Sequence, residues 1–261
     1  MAVAIGIVNA KGGVAKTLST LNLGVELSRR AGPVLMVDFD PQSSLTQTLG
    51  IVAEEANMAD VLGITSKGTM NIIPIIRSIE DGLDLAPSDI LLSRTEMTLI
   101  VRPAHEQQLA RVLEKVQDRY HYILIDAPPS TGMLTINTVY AADYVIVPTQ
   151  LDVLALRGIG LFLESLMDIR EDYGRAAEML GILATMVDLR TRHAKGVLEA
   201  LRQRQDLRTF ETTIPRSIRF SEAALEGKAI IDYDPTNPGA IAYAQLAEEV
   251  MHRVSAKKAV N

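Results

Sequence analysis

Three groups of residues have the types and spacing to do chemistry. The first is Gly6-Ile7-Val8-Asn9-Ala10-Lys11-Gly12-Gly13-Val14-Ala15-Lys16-Thr17. An apolar run enters a glycine turn there and leaves through Lys-Thr into a helical pattern. Backbone N–H groups at such a helix start wrap a phosphate chain. Lys16 at the head of the helix would reach β- and γ-phosphates, and the Thr17 hydroxyl would ligate Mg²⁺. Gly12 and Gly13 permit close backbone approach to phosphate oxygens. The stretch departs from the pattern G-x-x-x-x-G-K-[ST], because both glycine positions are alanine, Ala10 and Ala15. If position 15 needs positive φ, alanine costs roughly 1–2 kcal/mol there. The additional lysine, Lys11, is either an incidental surface cation or a charge aimed at a phosphoryl group.

The second group is Val34-Leu35-Met36-Val37-Asp38-Phe39-Asp40-Pro41-Gln42. Carboxylates at i and i+2 of a strand end face the same way. The plain alternative is a strand-end turn, which Asp-Pro favours. The third is Tyr122-Ile123-Leu124-Ile125-Asp126-Ala127-Pro128-Pro129-Ser130. A buried strand would deliver Asp126 to a Mg²⁺ shell through water, or Asp126 would simply cap a helix. The Pro-Pro pair stiffens the following loop, and Gly132 is the expected hinge.

Charge adds a fourth feature. The net charge is −6, which taken alone argues against a nucleic-acid partner. Yet nine bases against five acids lie between Arg190 and Lys228. Such a segment is either a footprint for a polyanion or an ordinary solvated face.

The elements that must position these groups follow from periodicity. Strands are expected at Val3–Val8, Val34–Val37, Asn71–Ile75, Leu83–Ala86, Tyr122–Asp126, Tyr144–Pro148, Gly181–Met186 and Thr209–Thr213. Helical patterns fall at Lys16–Arg30, Met58–Leu62, Asp89–Leu99, Ala104–Arg119, Thr131–Ala141, Ala155–Tyr173, Ala194–Gln203, Phe220–Glu226 and Pro238–Val254. Short continuous apolar runs suit strands buried on both faces. Their alternation with helices predicts an α/β fold with a doubly wound, mostly parallel sheet and helices on both faces. Ligands of such sheets sit at the C-terminal strand ends, where all these motifs lie. One domain over 1–255 is expected, with a frayed tail at 256–261.

Composition narrows the chemistry. The chain of 261 residues has no cysteine, which excludes disulfides, thiolate metal sites and iron–sulfur clusters. No apolar run reaches the ~18 residues of a membrane span. The N-terminus enters the first strand without a basic leader or cleavage site, so a cytoplasmic protein is expected.

The first motif resembles the deviant Walker A element K-G-G-x-G-K-[ST] of the ParA/MinD family of ATPases, with Ala15 where the family has glycine. Asp38-Phe39-Asp40-Pro41-Gln42 is similar to that family's D-x-D-P-Q element. The family continues Gly-Asn-Ala-Thr, whereas here the residues are Ser43-Ser44-Leu45-Thr46. Tyr122–Asp126 resembles Walker B, and Gln150-Leu151-Asp152 with Ala155-Leu156 resembles Q-x-E-x-x-A-L with Asp for Glu. Thr185–Thr191 and Ile214–Ala223 resemble two late motifs. The match runs from Ala4 to about Arg253. It is weakest between Ile51 and Pro103, where no chemistry is assigned.

The resemblance implies ATP and Mg²⁺ as cofactors and a set of roles. Lys11 would reach across a nucleotide-sandwich homodimer to the partner's phosphates. Gly12, Gly13, Val14, Ala15, Lys16, Thr17 and Leu18 would hold the nucleotide, with Met186 and Pro215 near the base. Lys16 and Lys11 would serve catalysis with Asp40, which orients the attacking water. Thr17, Asp38 and, through water, Asp126 would serve the metal. Arg190 and Arg219, with Arg192 and Lys195 adjoining, would bind nonspecific double-stranded DNA.

Members that carry a cluster between subunits need cysteines absent here. MinD-type members end in an amphipathic membrane helix, whereas Met251–Asn261 is too poor in large apolar residues to insert. The short ParA/Soj type remains. It implies slow hydrolysis stimulated by a ParB-like partner, nucleoid association, and segregation of chromosome or plasmid DNA. Competing expectations are a nucleoid-tracking positioner of a protein cargo, such as a microcompartment or chemoreceptor cluster, and a non-DNA regulatory ATPase of the MinD type.

Overall fold

The backbone of residues 1–51, 56–63, 70–152 and 155–258 is described by a computed structural model. Among these residues eight strands form one sheet. The strands are β1 (Val3–Ile7), β2 (Val34–Asp38), β3 (Arg77–Glu80), β4 (Leu83–Ala86), β5 (Tyr122–Asp126), β6 (Tyr144–Gln150), β7 (Glu178–Val187) and β8 (Thr213–Pro215). Their order is β3-β4-β2-β5-β1-β6-β7-β8, and only the β3–β4 pair is antiparallel. The doubly wound parallel sheet expected from the sequence is therefore present, with one antiparallel edge.

The apolar runs are continuous because each strand has two buried faces. In β2, Val34 and Met36 enter one core layer while Leu35 and Val37 enter the other. In β5, Tyr122 and Leu124 divide from Ile123 and Ile125 in the same way. Helices α1 (Lys16–Ala31) and α11 (Pro238–Lys258) cover the first layer, through Leu23, Leu27, Leu246 and Val250 among others. The second layer is covered by α3 (Met58–Leu62), α4 (Leu91–Leu99), α5 (Gln108–Leu113), α6 (Met133–Ala141) and α7 (Ala155–Tyr173). The remaining helices are α2 (Ser44–Thr48), α8 (Arg192–Gln203), α9 (Arg219–Leu225) and α10 (Ile230–Tyr233).

Several expected elements shift. Asn71–Ile75 is not a strand; Pro74 lies in a 3₁₀ turn over Ile73–Ile75, and the edge strand is β3. Pro lacks the donor that a ladder needs. The Ala104–Arg119 helix contracts to a 3₁₀ turn at His105–Gln107 followed by α5. The last strand lies at Thr213–Pro215, where Pro215 ends it, rather than at Thr209–Thr213. Helix α11 continues to Lys258, and 259–261 lie outside the described residues.

Register places the site. Ile7 of β1 pairs with Asp126 of β5, and Asp126 pairs with Asp38 of β2. The ends of three adjacent central strands therefore converge at the C-terminal edge of the sheet.

Candidate functional site

The segment Val8–Ala15 joins β1 to α1 at that edge. Gly13 and Ala15 both take left-handed backbone, with φ of 72° and 67°. Ala15 is the N-cap of α1 and offers no side-chain acceptor, so the first N–H groups of the helix face the loop. The loop is braced from β6 and β7. Gln150 Nε2 donates to the Gly13 carbonyl at 2.9 Å, and Thr185 Oγ1 donates to the Val14 carbonyl at 3.1 Å.

Lys16 is buried beneath this loop. Its Nζ donates to the carbonyls of Asn9 at 3.0 Å and Lys11 at 3.2 Å. Burial lowers its pKa, while Asp126 and Asp40 work to hold the proton on. A cation held this way neutralises a bound phosphate without reorganising.

Asp126 is fully buried, and its pKa is raised to about 8 by burial and by repulsion from Asp38. The Thr17 hydroxyl and the Lys16 charge oppose that rise. Thr20 Oγ1 donates to Asp126 Oδ1 at 3.3 Å, while Asp126 Oδ2 is buried with no hydrogen-bond partner. An orphaned carboxylate oxygen beside a lysine and a threonine fits the outer shell of a hard cation. No group of three or more acidic or histidine ligands forms a protein-only metal cage among the described residues. The donor set instead suits Mg²⁺ held mainly by ligand phosphates and water.

Asp38 is buried and raised to about 6, chiefly by burial. Thr46 occupies its Oδ2, with N and Oγ1 donating at 2.8 and 2.6 Å, while Oδ1 accepts the Asp40 amide at 3.3 Å. Asp40 is better placed for solvent-side chemistry. It lines a cavity of about 450 Å³ with Gly12, Gly13, Lys16, Thr17 and Pro129, and its Oδ1 accepts from Gln42 N at 2.9 Å. Ala15, Leu18 and Met186 line the same cavity.

Three expected nucleotide contacts are not among the residues that line this cavity. Val14 is buried against β7, and Pro215 lies outside the cavity lining. Lys11 lines a neighbouring cavity of about 300 Å³, and its ammonium forms an ion pair with Asp152 of the same chain. Both partners are about half exposed.

The expected polyanion residues stand on the same edge of the sheet. Arg190 is 91% exposed and grips Asp188 at 2.6 Å, which pulls the Asp188 carboxyl down to about 2. Arg219 opens α9 and pairs with Glu222 at 2.8 Å. Arg192 and Lys195 are exposed on the first turns of α8. Arg216 joins them, lining a cavity with Asp188 and Thr191, but the bases just past the end of α8 do not. Helix α8 runs back across the sheet, so Arg204 and Arg208 meet the start of β7 at the opposite edge. One basic stretch of sequence thus becomes two separate clusters.

Sequence reasoning overlooked Thr20 and the role of Thr46. Thr20 lies one helical turn after Lys16 on the same face of α1, a spacing that could have revealed it. Thr46 carried no such signal, because its partner Asp38 comes from another element.

A family profile described as an AAA domain matches residues 2–179. The sporulation initiation inhibitor protein Soj of Bacillus subtilis is 38% identical, covering 94% of this chain and 97% of that protein. The chromosome-partitioning ATPase Soj of Thermus thermophilus is also 38% identical, with 96% of each chain covered. Among solved structures, cobyrinic acid a,c-diamide synthase of Mycobacterium smegmatis, with an ATP analogue and magnesium bound, superposes with a TM-score of 0.84 at 32% identity. That match covers 98% of this chain and 96% of the other. Fold and site together define a phosphate-loop α/β protein of the deviant Walker A class. Within that class the chain belongs to the ParA/MinD family, in the branch of the Soj/ParA partition ATPases.

Proposed function

We propose that this chain hydrolyses ATP, dimerises around it, and in that state binds DNA without sequence preference to segregate a chromosome or plasmid. The observation that carries the reading is the convergence at one sheet edge of Lys16, Asp40 and Asp126 with the exposed Arg190 and Arg219. Nucleotide chemistry and polyanion binding then share one end of the molecule.

Lys16 and the N–H groups of the loop would bind and orient the phosphates, and Thr17, Asp38 and, through water, Asp126 would hold Mg²⁺. The metal ion, when bound, neutralises charge developing on the transferred phosphoryl group. Asp40 orients the attacking water from the cavity wall. Lys11 leaves Asp152 and supplies a further cation to the partner's phosphates in the dimer. Dimerisation would join two weak arginine patches into one face, and avidity makes DNA binding depend on nucleotide. A ParB-like partner accelerates an otherwise slow turnover and releases DNA.

The test is DNA binding measured with ATP, with ADP and without nucleotide across a salt series. ATP-dependent binding that weakens steeply with salt is expected. Lys11→Ala is expected to bind ATP yet lose both dimerisation and DNA binding. Normal dimerisation and turnover in that variant would refute the trans role of Lys11, and binding indifferent to nucleotide would refute the switch.

A further inference from the structure

The loop after β5 leads from Asp126 past Pro129, which lines the nucleotide cavity, to the start of α6. Its N-cap is Gly132, which has no side chain to satisfy the first amides of the helix. That acceptor comes from another element. Glu96, half-buried on α4, accepts from the Leu134 amide at 3.1 Å through Oε1. The fit is close: a β-carbon on Gly132 would stand 2.5 Å from the same oxygen. Gly132 has a φ of −76°, which any residue adopts, so a side chain there would meet no backbone barrier and would instead push the Glu96 carboxylate off the Leu134 amide.

The contact is anchored on both sides. Helix α4 is held by buried Leu92 and Leu99 and by Thr95 Oγ1, which donates to the Ala59 carbonyl at 3.3 Å. The body of α6 is fixed through Asn137, which accepts from the Leu109 amide at 3.1 Å and donates to the His105 carbonyl at 2.8 Å. Within the loop, Thr135 Oγ1 donates to the Ser130 carbonyl at 2.8 Å, and the Gly132 amide donates to Ser130 Oγ at 3.3 Å. Pro129, next in the chain, lines the nucleotide cavity together with Gly12 of the phosphate loop, and a β-carbon on Gly12 would stand 3.9 Å from it.

The geometry points to Glu96 as a positioning residue for the Ala127–Gly132 loop. Its carboxylate supplies the missing N-cap of α6 and meets the positive end of the helix dipole, which fixes where the loop begins and ends. The loop thereby keeps Pro129 set against the phosphate loop. Glu96 touches no nucleotide; it acts on turnover through the loop. The inference rests on the ATPase reading above.

Four variants test it: Glu96→Ala, Glu96→Gln, Gly132→Ala and the double Glu96→Ala/Gly132→Ala. The readouts are kcat and KM for ATP, and hydrogen exchange at the Leu134 amide. Glu96→Ala is expected to lower kcat about tenfold and speed Leu134 exchange by a similar factor, while KM moves less than about twofold. Glu96→Gln keeps an acceptor oxygen and is expected to retain most of both. Gly132→Ala is expected to reproduce Glu96→Ala by displacing the carboxylate. In the double variant the added methyl has room, so it should do no further harm. Unchanged kcat in both Glu96→Ala and Gly132→Ala, or a full second loss in the double, would overturn the assignment. So would a loss of stability alone with normal turnover of the folded protein. Exchange needs no turnover: an inactive wild type would sink the ATPase reading, and unchanged Leu134 exchange in Glu96→Ala would independently sink the positioning role.

Discussion

Ala15 and Ser43 stand where the family has glycine, and both adopt left-handed backbone, with φ of 67° and 49°. Each Cβ meets the following carbonyl oxygen at a cost of about 1–2 kcal/mol. Glycine would relieve that strain but would also loosen the unfolded chain by about 0.4–1 kcal/mol. Ala15→Gly is therefore expected to stabilise the nucleotide-free protein by about 0.5–1 kcal/mol net, raising Tm by a few degrees. A lower melting temperature would show that the loop holds alanine without strain. The residue types of the phosphate loop were legible in the sequence, and so was the conditional cost of Ala15. Ser43 was legible only as a departure, because nothing in its type announces a positive φ. The partner of Lys11 was not legible either, since Asp152 approaches it from the end of β6.

At the scale of elements, strand pairing creates an electrostatic problem. Parallel β2 and β5 end in register, which sets Asp38 beside Asp126. Both are fully buried, and their carboxyls are raised to about 6 and about 8. Folding thus raises two pKa values above the ordinary ~3.9 of the unfolded chain. Between roughly pH 4 and pH 8 the native state holds more protons than the unfolded one, so stability falls as pH rises. The contribution is fully present below the unfolded value and is lost as pH passes through the two folded values. In nucleotide-free protein, Asp126→Asn should flatten the decline in Tm between about pH 5 and pH 8. Parallel Tm curves for wild type and variant would contradict the pairing. The central strands were readable from apolar runs because two buried faces leave a continuous signature. Edge strands β3 and β8 were misplaced because they are short and half-exposed, so their residues carry little pattern. Glu96 lies in the segment to which the sequence assigned no chemistry. Its meaning comes from a tertiary contact with Gly132, and no spacing along the chain encodes it.

At the scale of the whole molecule, the path of α8 decides which bases share a surface. Arg190, Arg192, Lys195 and Arg219 stay at the nucleotide edge, and Arg204 and Arg208 are carried to the far side. The sequence displays one basic segment because linear order hides the return of the helix. Arg219→Glu is expected to weaken ATP-dependent DNA binding more than tenfold at low salt, and Arg204→Glu to change it less than about twofold. Equal losses in a fluorescence-anisotropy titration would mean that DNA reaches both ends.

Arg190 and Arg219 do not wait as bare cations. Asp188 grips one with two hydrogen bonds, and Glu222 holds the other. Any incoming anion must evict a carboxylate already in place, and the evicted group then repels the intruder. A lone phosphate or a free nucleotide offers little net gain in that exchange. A polymer with phosphates repeated every few ångströms wins at several positions together. If this face binds DNA as proposed, the built-in counterions would act as a threshold that favours a partner of high charge density over a lone anion.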